Sequence, residues 1–198
     1  LEDYFCNNFK ELQSTQGLNE EALHLAHLGE SRSWSLYSPN ADKSYGAAII
    51  TDVGIFALGH RCLVSYQTTL PLQGAIAIME AGNDPHRFNI QEIYLVCTGN
   101  KPEISYLERQ NLTEVADALA SVGGISPIPI KLFQFEETEE EINLVGAWET
   151  DSQEWRPHSF SAGNLGMGGV LKGRMEEITK PVPAAFLTRG PVRKKITL

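Results

Sequence analysis

The order of elements written in this chain predicts an α/β fold, three layers of α/β/α around a mixed sheet. Three observations carry it. From residue 45 to residue 135 the pattern runs strand, strand, helix, strand, helix, strand. The first two strands are joined by a tight turn, a hairpin, while the later ones are joined through helices, which act as crossovers. With 42% hydrophobic and 21% charged residues in 198, there is enough apolar surface to bury one domain's core on both faces of a sheet.

The N-terminal stretch Glu2 to Leu12 carries Tyr4, Phe5, Phe9 and Leu12 at helical spacing. Asn19 is placed to cap a second helix whose apolar positions include Ala22, Leu23, Ala26 and Leu28, with His24 and His27 looking outward. Ser38-Pro39-Asn40 makes a turn, and Tyr45 to Thr51 and Ile55 to Leu58 form the hairpin around Asp52-Val53-Gly54. Gly59-His60-Arg61-Cys62 leads through an extended segment to Pro71, which suits the first turn of a helix because its missing amide hydrogen would be unpaired there anyway. That helix runs to about Ala81, where Gly82-Asn83-Asp84-Pro85 stops it. Glu92 to Thr98 is a short apolar central strand. Ser105 to Val122 is the second main helix, with Leu107, Leu112, Val115, Ala116 and Leu119 as its stripe and Gly123-Gly124 as its end. Pro127 to Phe135 supplies a strand, the acidic run Glu136 to Glu141 a solvated loop or helix start, and Leu144 to Trp148 a further strand. Beyond Asp151 periodicity fades, and the basic end at Arg189, Arg193, Lys194 and Lys195 reads as solvated. The division expected is an N-terminal helical segment over 1–35, the α/β domain over 36–150 and an irregular extension over 151–198.

Composition narrows the function classes. A formal net charge of −9 makes nucleic acid an unlikely partner, since a phosphate backbone calls for clustered Lys and Arg. Three scattered cysteines, Cys6, Cys62 and Cys97, fit a reducing cytoplasm better than a disulfide framework. No apolar run reaches the length of a membrane helix, and the N-terminus lacks the features of a signal peptide. A first residue other than Met leads us to expect a longer natural protein. Gly163 to Gly169 invites a phosphate-loop reading, but the Lys-Ser/Thr that should follow is absent.

Several local strings resemble the cytidine deaminase family over roughly residues 20 to 135. Tyr37-Ser38-Pro39 followed by Tyr45-Gly46-Ala47-Ala48-Ile49 is similar to the family's approach to its first strand, and Gly59 matches the glycine after its hairpin. The family's Cys-Ala-Glu block falls on Leu72-Gln73-Gly74, followed by Ala77-Ile78; its Pro-Cys-x-x-Cys block falls on Ile104-Ser105 through Glu108, followed by Arg109-Gln110. In family members three His or Cys side chains hold zinc, whose water attacks the base, and a glutamate shuttles protons. On this correspondence the first ligand is Leu72, the glutamate is Gly74, and the two cysteines are Ser105 and Glu108. The pocket Phe becomes Lys43, and the ribose-holding Asn and Glu become Arg61 and Leu63. Neither [His/Cys]-x-Glu nor Cys-x-x-Cys occurs anywhere in the chain. Leu70-Pro71-Leu72-Gln73-Gly74-Ala75 resembles the zinc-free C-terminal copy of two-domain bacterial cytidine deaminases, whose implied role is packing against a neighbour.

Three expectations follow. The leading one is a non-catalytic domain without metal or cofactor that acts as a homo-oligomer or with a protein partner; Leu72 and Gly74 would then fill with apolar packing the space that zinc takes in active relatives. The second is a vestigial pocket lined by Lys43, Arg61, Leu72, Gly74, Ser105 and Glu108, taking a nucleoside, a nucleotide or another small anion through its cations. The third is an enzyme of other chemistry on the same fold, drawing on His60, Cys62, His86 and Glu108.

Overall fold

The computed structural model describes residues 9–35, 45–62, 68–82, 89–99, 104, 106–121, 127–139 and 141–155. Lys43, Ser105, His86 and the stretch 156–198 lie outside them. The described elements are β1 (Lys10–Glu11), α1 (Glu20–Ser31), β2 (Trp34–Ser35), β3 (Gly46–Thr51), β4 (Ile55–Gly59), β5 (Arg61–Cys62), β6 (Thr68–Thr69), α2 (Pro71–Gly82), β7 (Ile90–Thr98), α3 (Tyr106–Ser121), β8 (Pro129–Glu137) and β9 (Ile142–Asp151). Six strands pair in the order β1-β9-β8-β7-β3-β4, and β2, β5 and β6 form a small second sheet. The main sheet is mixed: β7 and β8 are parallel and every other neighbouring pair in it is antiparallel.

Helices cover both faces. On one face α1 lays Ala22 and Ala26 against Ala48, Tyr94, Val96 and Phe133. On the other, α2 and α3 bury Leu72, Ala75, Met79, Leu112 and Ala116 over Ala47, Ile49, Ile93, Leu95 and Leu132. Alternation along β3 explains the split, because successive residues point to opposite faces and each face is apolar. The approach of α1 is close enough to demand glycine. A Cβ on Gly46 would stand 1.8 Å from the Ala26 carbonyl oxygen, and one on Gly59 would stand 1.7 Å from that of Gly29. Asn19 caps α1 as its sequence position suggests: its side chain accepts the Ala22 N–H at 3.0 Å, and its own N–H reaches the Tyr94 hydroxyl at 3.0 Å. At the far end of α1, Glu30 accepts from the Thr98 N–H and hydroxyl, fixing the helix to the end of β7.

Three local expectations need correction. Phe9 to Leu12 continue no helix: Lys10 and Glu11 pair with Glu149 and Trp148 of β9, and Phe9 packs edge-on to Trp155 at 6.3 Å. Four apolar residues at helical spacing are too weak a signal against strand pairing supplied from far along the chain. The acidic run is solvated as expected but is not all loop: Glu136 and Glu137 finish β8, and the Thr138 N–H donates to the Glu141 carbonyl at 2.8 Å. Likewise His27 is not simply outward, since its ring stands edge-on to Phe135 at 5.6 Å.

Candidate functional site

Strand direction decides which parts of the sequence meet. β4 and β7 both run antiparallel to β3. They therefore end at the same edge of the sheet, where β3 begins. The helices that follow them in the chain, α2 and α3, start over that edge, which is where α/β sheets generally place their chemistry.

The first turn of α2 has a complete account of its amides. Pro71 has no N–H. Leu72 donates to Glu108 Oε1 at 3.0 Å and Gln73 to the same oxygen at 3.4 Å. The Gly74 N–H returns to the Leu70 carbonyl at 2.8 Å. Leu70 precedes the helix where a Ser, Thr, Asp or Asn would cap it, and its side chain cannot accept a hydrogen bond. Glu108, from the first turn of α3, takes over that work from outside the helix. Its negative charge also sits at the positive end of the α2 dipole.

The other carboxylate oxygen, Oε2, accepts the hydroxyl of Tyr45, the residue that leads into β3. Glu108 is 0% exposed and Tyr45 4%. Burial pushes the Tyr45 hydroxyl well above its ordinary range, and the Glu108 charge pushes in the same direction, so the phenol stays protonated and donates. The Leu72 N–H and the Arg109 charge pull weakly the other way. Beside them, Arg109 donates its Nε–H to the Ile104 carbonyl and lies with its guanidinium 5.1 Å from the centre of the Trp155 ring.

Of the residues singled out from sequence, Leu72, Gly74 and Glu108 come together here. Leu72 is fully buried in the core, and a Cβ on Gly74 would stand 2.2 Å from Leu58 Cδ2 and 2.8 Å from Thr69 Cγ2. All three positions are buried. A carboxylate, that of Glu108, packs beside Leu72 at the start of α2. Arg61 faces elsewhere: it is exposed and lines a cavity of about 190 Å³ with Arg32, Leu25, Leu28 and Gly59. His60 is buried, its N–H bonded to Ser33 Oγ at 2.8 Å and its Nε2 without a partner among the described residues. Tyr45 is the residue that sequence reasoning missed. Its place before Gly46-Ala47 predicts only the start of a strand.

The fold is cytidine deaminase-like, as the sheet order, the two crossovers and the shared helix starts indicate. Among solved structures the chain is similar to cytidine deaminase from Burkholderia pseudomallei, with a TM-score of 0.50 and 18% identity over 72% of this chain and 99% of that one. No protein-family model and no curated protein matches the sequence.

The zinc that the resemblance implies does not suit the residues present. A zinc site needs about three protein donors. At the positions corresponding to the ligands, Leu72 offers none, and both oxygens of Glu108 are engaged by N–H and O–H donors. Among the described residues no three His, Cys, Asp or Glu side chains are grouped to hold a metal ion.

Proposed function

We propose that this chain is a non-catalytic cytidine deaminase-like domain that works by association, with a second copy of itself or with another protein. The observation that supports it is the buried Glu108 carboxylate at the start of α2. It occupies the junction with a structural hydrogen-bond set and leaves neither a donor group for zinc nor a carboxylate free to move protons. Small residues kept at the helix starts serve close packing in the same way in any role the domain has.

The test combines three measurements on the purified chain. Metal analysis and a cytidine deamination assay are expected to give no stoichiometric zinc and no turnover, and light scattering is expected to give a mass above the monomer, alone or with its partner. Turnover by a zinc-loaded chain would refute the non-catalytic reading; a strict monomer that captures no protein would refute association.

One observation favours a second reading. Arg32 and Arg61 share the cavity of about 190 Å³, which is below the range of about 300–1,000 Å³ usual for drug-sized ligands. It suits a phosphate- or carboxylate-sized anion rather than a whole nucleotide. Calorimetric titration with inorganic phosphate, compared between the native chain and Arg61→Ala, tests it; equal flat traces would remove it.

A further inference from the structure

Resting on the association reading, we propose that the open edge of β9 from Ile142 to Gly146 takes up an extended segment of a partner protein as an added strand. The segment it fits alternates apolar and basic side chains.

The inner edge of β9 pairs with β8 along its whole length, but its outer edge is covered only near the end. β1 pairs there with Trp148 and Glu149, and the Leu12 N–H reaches the Ala147 carbonyl at 3.0 Å. Past Leu12 the chain leaves the sheet. The outward N–H and C=O groups from Ile142 to Gly146 then meet no hydrogen-bond partner among the described residues. An unpaired edge of this length is a template for another strand, and main-chain bonds would supply most of the affinity.

The side chains of the same stretch are apolar and in water. Ile142 is 48% exposed, Leu144 39% and Val145 47%. Pairing places Leu144 opposite Phe135 and Ile142 opposite Glu137, so both lie on the α1 face of the sheet. A cavity of about 240 Å³ opens beside them, lined by Glu20, Leu23, His24, His27, Phe135 and Ile142. It has room for an apolar side chain of an added strand.

Charge selects among occupants. Glu136, Glu137, Glu139 and Glu141 ring the open end of β9, and none of them has an ion-pair partner among the described residues. Lys or Arg on the incoming strand would meet these carboxylates. A second copy of this chain brings the same acidic turn and a formal charge of −9.

The probe is a fluorescein-labelled peptide, Val-Lys-Val-Lys-Val-Lys-Val, titrated with the full chain and followed by anisotropy. Saturable binding is expected, with the Glu-for-Lys peptide and a block-ordered peptide of the same composition both weaker. The double variant Ile142→Lys, Leu144→Lys changes only exposed positions and should bind about tenfold less, as loss of anchoring contacts would give; an unchanged circular dichroism melt keeps that comparison valid. Absence of saturable binding, equal binding of the block-ordered peptide, or binding unaffected by the double variant would overturn the proposal. Light scattering on the same samples separates the readings. A chain that self-associates regardless of the double variant while the peptide fails to bind removes the β9 site and leaves association standing. A chain that is monomeric, takes up no peptide and captures no protein removes both. Self-association abolished by the double variant, with no peptide binding, would assign the edge to a second copy and refute the partner segment.

Discussion

Replacing Glu108 with alanine removes the acceptor that three elements share. The Leu72 amide and the Tyr45 hydroxyl, both buried, lose their partner, and a cavity opens where the side chain was. Hydrogen bonds to a charged group are worth about 1.5–3 kcal/mol each, net of desolvation. The Gln73 bond is long and adds little. The expected loss for Glu108→Ala is about 3–5 kcal/mol, which for a chain of this size lowers Tm by roughly 2–4 °C per kcal/mol. Glu108→Gln keeps an acceptor for the Leu72 amide and loses the charge facing the α2 dipole, so its expected cost is only about 1–2 kcal/mol. Tyr45→Phe should cost about the same, and because the two side chains bond each other the double variant should fall short of additivity. Urea unfolding followed by far-UV circular dichroism measures all four chains. A Glu108→Ala chain within about 1 kcal/mol of the native protein would refute the claim that this carboxylate holds the start of α2.

Gly46→Ala and Gly74→Ala test packing at two depths. The first sets a methyl carbon against the Ala26 main chain and should unfold the protein or cost more than about 3 kcal/mol; the second meets only the movable ends of Leu58 and Thr69 and should cost about 1–3 kcal/mol. Equal costs in urea unfolding would contradict the close approach of α1. Burial lowers the His60 pKa from 6.5, so its contribution is present above that value and is lost as pH falls through the folded-state pKa. The native chain should therefore lose more stability than His60→Gln between about pH 7 and pH 5, measured by urea midpoint. For Tyr94, pushed up to about 12 by burial, and for Tyr45, also raised by burial, the sign is opposite: stability is complete below the unfolded value near 10.0 and falls as pH rises past it. Tyrosinate absorbance for these two residues should appear only together with alkaline unfolding.

The strands and helices from Gly46 to Phe135 were legible because each carries its own punctuation. Pro71 marks a helix start, Asp52-Val53-Gly54 a hairpin, and apolar alternation on β3 a strand covered on both faces. What failed was the end of the sheet that depends on distant partners. Nothing local in Phe9-Lys10-Glu11 announces β9, which lies some 140 residues later and alone turns that tripeptide into a strand. At the site, the resemblance singled out Lys43, Arg61, Leu72, Gly74, Ser105 and Glu108; of these, Lys43 and Ser105 lie outside the described residues and Arg61 lines a separate cavity. It could not show that Glu108 turns inward onto main-chain amides, because a glutamate three residues into a helix is ordinarily a solvated, dipole-favoured surface residue. Tyr45 escaped for the same reason, since its role exists only once α3 has been laid over β3.

The cap on α2 has a bearing on how the chain reaches its native state. Glu108 lies 36 residues after Leu72, beyond β7. A helix whose first turn is finished from so far along the chain cannot be completed by local collapse. During synthesis, the start of α2 must wait with its amides hydrated until β7 has paired and α3 has docked, whereas α1 carries its own cap at Asn19. The dependence is thus written into which helix owns its cap: α1 has it within its own first turn, and α2 has it only once α3 is in place.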